Sequence, residues 1–444
     1  MTPRPMFAAL LAALLAGCAT YGQITNRPQT ELSKDEPAYG LGRTTPTQGD
    51  EQLTLGLALS GGGARAAALA YGVMLELRDT PLPDDSGNVK LLDEVDVISS
   101  VSGGSFTAAY YGLHGDATFP GFEKAFLRQN IERDLLHRIL SPLRWFTRMT
   151  RSEEAARLYD LFVFHGASFA DLQARSGPLV ILNATDLQGG TRFSFVQEYF
   201  DLLCSDLLNY PISHAVAASS AVPILFQPIV LENYSGCDGR VPSTEALASA
   251  PLQLRHEAKG LRAYEDKQAR HYIHLVDGGL SDNLGLRALL EAVDASGGPR
   301  KFLQGLQRKL TRELVIISVN ASAHANGGIG TSTRSPSLRK TIDATTDIQL
   351  HRYNAATDAL VQERMQAWGK ELAEAGHPVH VRLITVAFTD VQDPALRARL
   401  NAIPTNFTLP SSDVDALIAA GRSLLRANPE YQAMLRDLRA DPTR

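Results

Sequence analysis

Residues 55–78 read LGLALSGGGARAAALAYGVMLELR. An apolar run closes at Ser60, three glycines follow, and an alanine-rich stretch then carries a helical pattern. This is a strand, a tight loop and a helix. Backbone N–H groups at such a helix start are placed to receive negative charge. A second unit of the same kind follows, with DEVDVISSVSGGS (93–105) reading as a strand entering a sharp loop and FTAAYYGLHG (106–115) as a helix. Later buried-strand patterns are PLVILNATD (178–186), HYIHLVDGG (271–279), ELVIISVNAS (313–322) and VHVRLITVAF (379–388), with helical segments between them. Strands alternating with helices predict an α/β fold with a mostly parallel central sheet covered on both faces.

The glycines exclude two familiar phosphate sites. GGGARA (61–66) satisfies G-x-G-x-x-A, but the next strand ends in VISSVSGGS without the acidic residue that would hold a ribose. No Gly-Lys-Ser/Thr follows, so a P-loop is excluded as well. The second loop offers a better partner. Ser102 in SVSGG has small neighbours on both sides, close to the G-x-S-x-G elbow that exposes a serine hydroxyl on a strained turn. Two successive right-handed β-loop-α units put both loops on one carboxyl edge of the sheet. The amides of Gly61, Gly62, Gly63 and Ala64 are then expected to meet the oxyanion formed when Ser102 attacks an ester carbonyl. Asp277 ends another strand in DGG and is expected at the same edge, where a carboxylate can act as base. Asp277 also fits a turn-capping role before Gly-Gly.

Taken together, GGGAR, SVSGG and DGG resemble the patatin-like phospholipases. NATDLQGGTRFSF (183–195) and AVAASSAVPILFQP (215–228) are similar to stretches that this family carries between elbow and aspartate. The resemblance runs from about Leu53 to Ala325. It implies a patatin-like three-layer sandwich and a Ser102–Asp277 dyad without histidine, acting on acyl ester bonds of membrane lipids with no cofactor or metal. It also implies that Arg65 fixes the conformation of the oxyanion loop. Two departures are Ser100 for the first elbow glycine and Ala66 for the glycine that ends the oxyanion motif; both substitutes are small.

The N-terminus carries a separate signal. Arg4 precedes MFAALLAALLAG, a run too short to span a bilayer, and Leu15-Ala16-Gly17-Cys18 resembles a bacterial lipobox. The expected organisation is a signal peptide at 1–17, a flexible tether at 18–50, a catalytic domain at 51–325 and a C-terminal extension at 326–444 packed on the same body. Cys18 would be the lipidated residue, and Ala19 after it implies an outer-membrane destination. The domain carries a helical insertion at about 120–165. Its segment 122–164 interleaves Arg128, Arg133, Arg138, Arg144, Arg148 and Arg151 with Trp145 and Phe146. That composition suits either an anionic lipid surface or a core-covering helical pair with a solvated basic face.

The net charge of −5 and the absence of a long Lys/Arg tract argue against nucleic acid as a partner. The histidines lack zinc-type spacing, and no dense Asp loop suggests calcium. Cys204 and Cys237 can either bridge or stay as buried thiols. Two other functions stay open. His324 and His351 follow Asp277 in the order that an α/β-hydrolase triad requires. A catalytically silent lipid-binding lipoprotein is the reading from a different class.

Overall fold

The computed structural model describes residues 22–29, 39–41, 52–82, 89–131, 133, 149–175, 177–237, 252–306, 311–323, 333–376 and 378–440. Cys18, the signal peptide, His324, Arg138, Arg144, Trp145, Phe146 and Arg148 lie outside them.

The strands are β1 (Arg27–Pro28), β2 (Leu53–Leu59), β3 (Val95–Val101), β4 (Leu179–Asp186), β5 (Arg192–Ser194), β6 (Ser205–Asp206), β7 (Ile229–Glu232), β8 (Tyr272–Asp277), β9 (Glu313–Asn320) and β10 (His380–Ala387). Helices that bear on the site are α1 (Gly63–Arg78), α2 (Gly103–His114), α3 (Arg151–Tyr159), α4 (Ile212–Ser219), α5 (Leu286–Ala295), α6 (Leu338–Glu374), α7 (Pro394–Ala402), α8 (Ser411–Ala427) and α9 (Pro429–Ala440). The main sheet has the order β10-β9-β2-β3-β4-β8-β7, with β5 paired to β4. Strands β10, β9, β2, β3 and β4 are parallel; β8 runs antiparallel to β4, and β7 antiparallel to β8. The expected α/β sandwich with a mostly parallel sheet is therefore present.

Strand alternation builds two cores. Val315, Ile317 and Val319 of β9 join Leu55, Leu57 and Leu59 on one face. Leu314, Ile316 and Ala58 point to the other. The first face is covered by α1 and α2, the second by α5 and by Val361, Met365 and Trp368 of α6. A strand buried on both faces must be apolar almost throughout, which is how ELVIISVN reads.

The C-terminal extension is integral to this body. Strand β10 pairs with β9 at all eight positions from His380↔Glu313 to Ala387↔Asn320. Helix α8 crosses α1 at backbone contact: a Cβ on Gly72 would lie 2.3 Å from the Ile418 carbonyl oxygen, and one on Gly421 2.4 Å from that of Leu69. Buried Glu76 of α1 pairs with Arg422 and Arg426 of α8.

Part of the expected tether is packed instead. Strand β1 pairs with β6, Asn26 hydrogen-bonds Ser205 and Glu232, and the Tyr39 hydroxyl donates to the Val180 carbonyl and accepts from its amide. Composition misled here, because a single aromatic and one Asn suffice to dock an otherwise polar stretch. Cys204 and Cys237 form a disulfide. Among the described residues, no helix is long and apolar enough to cross a membrane.

Candidate active site

Ser102 sits between β3 and α2 with φ 50° and ψ −118°. Such a conformation costs a non-glycine residue of the order of 1–3 kcal/mol, so the surroundings must hold it. They do so through hydroxyls. The Ser102 amide donates to Ser219 Oγ (2.9 Å), which itself donates to the Asn183 carbonyl (2.6 Å) and lies 2.9 Å from Ser105 Oγ. Ser100, the departure from the elbow pattern, is fully buried; its Oγ accepts from Ser105 and donates to the Ile181 carbonyl. Its hydroxyl thus joins the network that supports the turn.

Close approach explains the glycines after Ser102. A Cβ on Gly103 would lie 1.9 Å from the Gly63 carbonyl oxygen, and one on Gly104 2.7 Å from that of Leu59. The elbow therefore rests directly on the glycine loop. Within that loop Gly62 has φ 137° and Gly63 φ 59°, backbone that side chains rarely adopt.

The structure narrows the expected set of oxyanion donors. The Gly61 amide donates to the Asn283 carbonyl (3.0 Å) and that of Ala64 to the Asn406 carbonyl (2.8 Å), so both are occupied. The amides of Gly62 and Gly63 carry no hydrogen bond among the described residues. They open α1, where the helix dipole adds positive potential. Arg65 is buried and clamps the loop from behind, donating from Nε to the Ala321 carbonyl (2.9 Å) and from Nη1 to that of Ile403 (2.6 Å). Burial lowers its pKa to about 10, which leaves it charged at neutral pH.

Asp277 arrives at the expected edge, on a strand that runs against β4. Strand β8 is antiparallel to β4, with Asp277 opposite Ala184, while Val101 is opposite Asn183. The end of β8 therefore meets the end of β3 although the strands run in opposite senses. The Asp277 carboxylate accepts from the Gly279 amide (2.8 Å), and the Ser102 side chain lies near enough to favour its ionised form. Burial raises its pKa to about 6, and the Gly279 amide and the nearby Ser102 side chain pull it partly back. The Asp277 amide and carbonyl are fixed by Ala221 (2.9 Å) and Thr185 Oγ1 (2.9 Å).

Serine and carboxylate thus come to neighbouring strand ends at one edge of the sheet. His351 instead points its Nε2 at the Ala323 carbonyl (3.2 Å). Sequence reading missed Ser219, Asn183, Asn283 and Asn406 as supports of the site. The first two lie in stretches singled out by the resemblance; nothing local marks the others. In the basic-aromatic segment, Arg128 is paired with Glu123 and Asp415, and Arg151 donates to Gln227 Oε1 and the Ile224 carbonyl.

One group among the described residues has metal-ligand geometry, Glu313, His380 and Asp437. Arg382 already bridges Glu313 and Asp437, and Glu313 and His380 begin their strands, away from the dyad edge.

No curated protein matches the sequence. Among solved structures, the chain is similar to human GIVD cytosolic phospholipase A2, at 16% identity over 94% of this chain and 68% of that one, with a TM-score of 0.44. The same human protein in complex with methyl gamma-linolenyl fluorophosphonate matches at 14% identity over 95% and 70%, TM-score 0.43. VipD from Legionella pneumophila matches at 13% identity over 94% and 73%, TM-score 0.30. The patatin-like phospholipase family model matches residues 57–290, over half of the sequence and inclusive of the glycine loop, Ser102 and Asp277, and this chain belongs to that family.

Proposed function

We propose that the protein is a serine lipid acyl hydrolase of the carboxylic ester class, with Ser102 as nucleophile and Asp277 as base. The observations that carry this reading are a strained elbow serine, a buried carboxylate close enough to feel it, and the free amides of Gly62 and Gly63 at the same edge. Ser102 Oγ attacks the ester carbonyl carbon as its proton passes to Asp277. The carbonyl oxygen becomes an oxyanion that accepts from the free amides of Gly62 and Gly63, an effect worth about 3 kcal/mol per donor. Asp277 returns the proton to the leaving alcohol, and an acyl-Ser102 ester remains. A water deprotonated by Asp277 then attacks that ester, releasing the fatty acid and restoring Ser102. Lipid as the substrate class follows from family membership; the lipobox at Cys18 supports an outer-membrane anchor that brings enzyme to substrate.

Hydrolysis of a short soluble p-nitrophenyl ester tests the reading. Ser102→Ala should abolish turnover and Asp277→Asn should lower it by at least about 10³-fold, without additivity in the double variant. Substituting His351 should leave most of the activity. A folded, fully active Asp277→Asn protein would overturn the dyad.

A further inference from the structure

Three exposed apolar side chains flank Asp277. Leu280, 49% exposed, follows it by three residues. Ile224 and Leu225, 72% and 55% exposed, lie just beyond Ala221, whose carbonyl accepts the Asp277 amide. Their loop is built, not slack. Ile224 holds φ 75°, unfavourable for a β-branched residue, while Arg151 donates from Nη2 to its carbonyl (3.0 Å) and from its amide to Gln227 Oε1 (2.9 Å). The fold thus spends strain on pointing two aliphatic side chains outward beside the dyad.

The N-terminal segment docks next to this loop. Gly22 packs against Val230 of β7, and the Gln23 amide donates to Glu153 of α3, two residues from Arg151. Asn26 bonds Glu232, so the described segment runs in the same sense as β7, with Gly22 at its end nearer to residues 224–227. Only Ala19, Thr20 and Tyr21 separate Gly22 from Cys18. Four Cα steps reach at most about 14 Å.

We infer that Ile224, Leu225 and Leu280 form a docking surface for the bilayer that holds the Cys18 lipid. The docked segment turns the mouth of the dyad toward that membrane. The inference rests on the reading above in taking Cys18 as acylated and lipid as substrate. A lipid surface is the occupant because the tether is too short to let this rim stray far from its anchor. An interfacial aliphatic patch of this kind gains the most by entering the acyl boundary.

The test uses the full chain with acylated Cys18, checked by mass, in phosphatidylethanolamine/phosphatidylglycerol vesicles containing nitroxide-labelled lipid. Bimane is attached at Leu225→Cys, Leu280→Cys and, as control, Glu374→Cys. Glu374 is exposed and ends α6 just before β10, six strand steps or roughly 29 Å across the sheet from β7. The expected result is at least threefold stronger quenching at 225 and 280 than at 374. Equal quenching at the three positions, or stronger quenching at 374, overturns the docking surface. Quenching needs no turnover, so the soluble-ester assay on the same samples separates the two ideas. Ester hydrolysis without selective quenching sinks the docking alone; selective quenching without hydrolysis sinks the catalytic reading alone.

Discussion

At the residue scale, Asp277 carries opposite consequences for activity and stability. In the proposed reaction its carboxyl must be ionised to take the Ser102 proton, and burial holds its pKa at about 6. The pH profile of kcat/KM should therefore rise through an acidic limb near pH 6 and level off above it. A limb near 4, the ordinary aspartate value, would mean that Asp277 is not the group being titrated. Stability runs the other way. A carboxyl whose pKa is raised on folding favours the folded state below its unfolded pKa, and that contribution is lost as pH rises through the folded value. Asp277→Asn keeps the acceptor for the Gly279 amide and removes the buried charge. It should raise stability by about 2–3 kcal/mol at pH 8 and by little at pH 4, read by thermal unfolding at the two pH values.

At the element scale, the glycine loop proposed as the oxyanion hole is held by what α1 packs against. Its first turn rests on the elbow, its arginine reaches Ala321 and Ile403, and its middle crosses α8 at the Gly72 and Gly421 contact. Backbone cannot retreat as a side chain can, so Gly421→Val should cost about 3 kcal/mol and shift α1. Because the shift is transmitted to Gly62 and Gly63, turnover of a soluble ester in the folded fraction should fall as well. Chemical denaturation alongside activity per folded molecule checks both. An unchanged midpoint would show that the two helices are not in backbone contact.

At the scale of the whole molecule, the patatin-like body is closed by segments outside the matched residues 57–290. Strand β10 extends the sheet past β9, and α8 and α9 cover its first face. On the opposite edge the N-terminal segment lies over β6 and β7. The Cys204–Cys237 disulfide, with a sequence separation of 33, lies in this same region. Closing a loop of that length restricts the unfolded chain by about 4 kcal/mol in the entropy model. Cys237→Ser should lower stability by roughly that amount under oxidising conditions, and dithiothreitol should reproduce the loss in the unmodified protein.

The sequence by itself determined the two strand-loop-helix units and the parallel core of the sheet, and it singled out Ser102 and Asp277, which the fold brings to one edge. Each is written in a local run: apolar alternation, glycines at sharp turns, a small-residue elbow. The direction of β8 was decided only in three dimensions, because alternation reads the same forwards and backwards. The choice of free amides was also tertiary. Gly61 and Ala64 look like Gly62 and Gly63 along the chain, yet carbonyls of Asn283 and Asn406, distant in sequence, occupy the first two. Ser219 under the elbow and Tyr39 against β4 belong to the same class. A hydrogen bond is set by which groups the fold brings within 3 Å, and no local pattern encodes that for partners hundreds of residues apart.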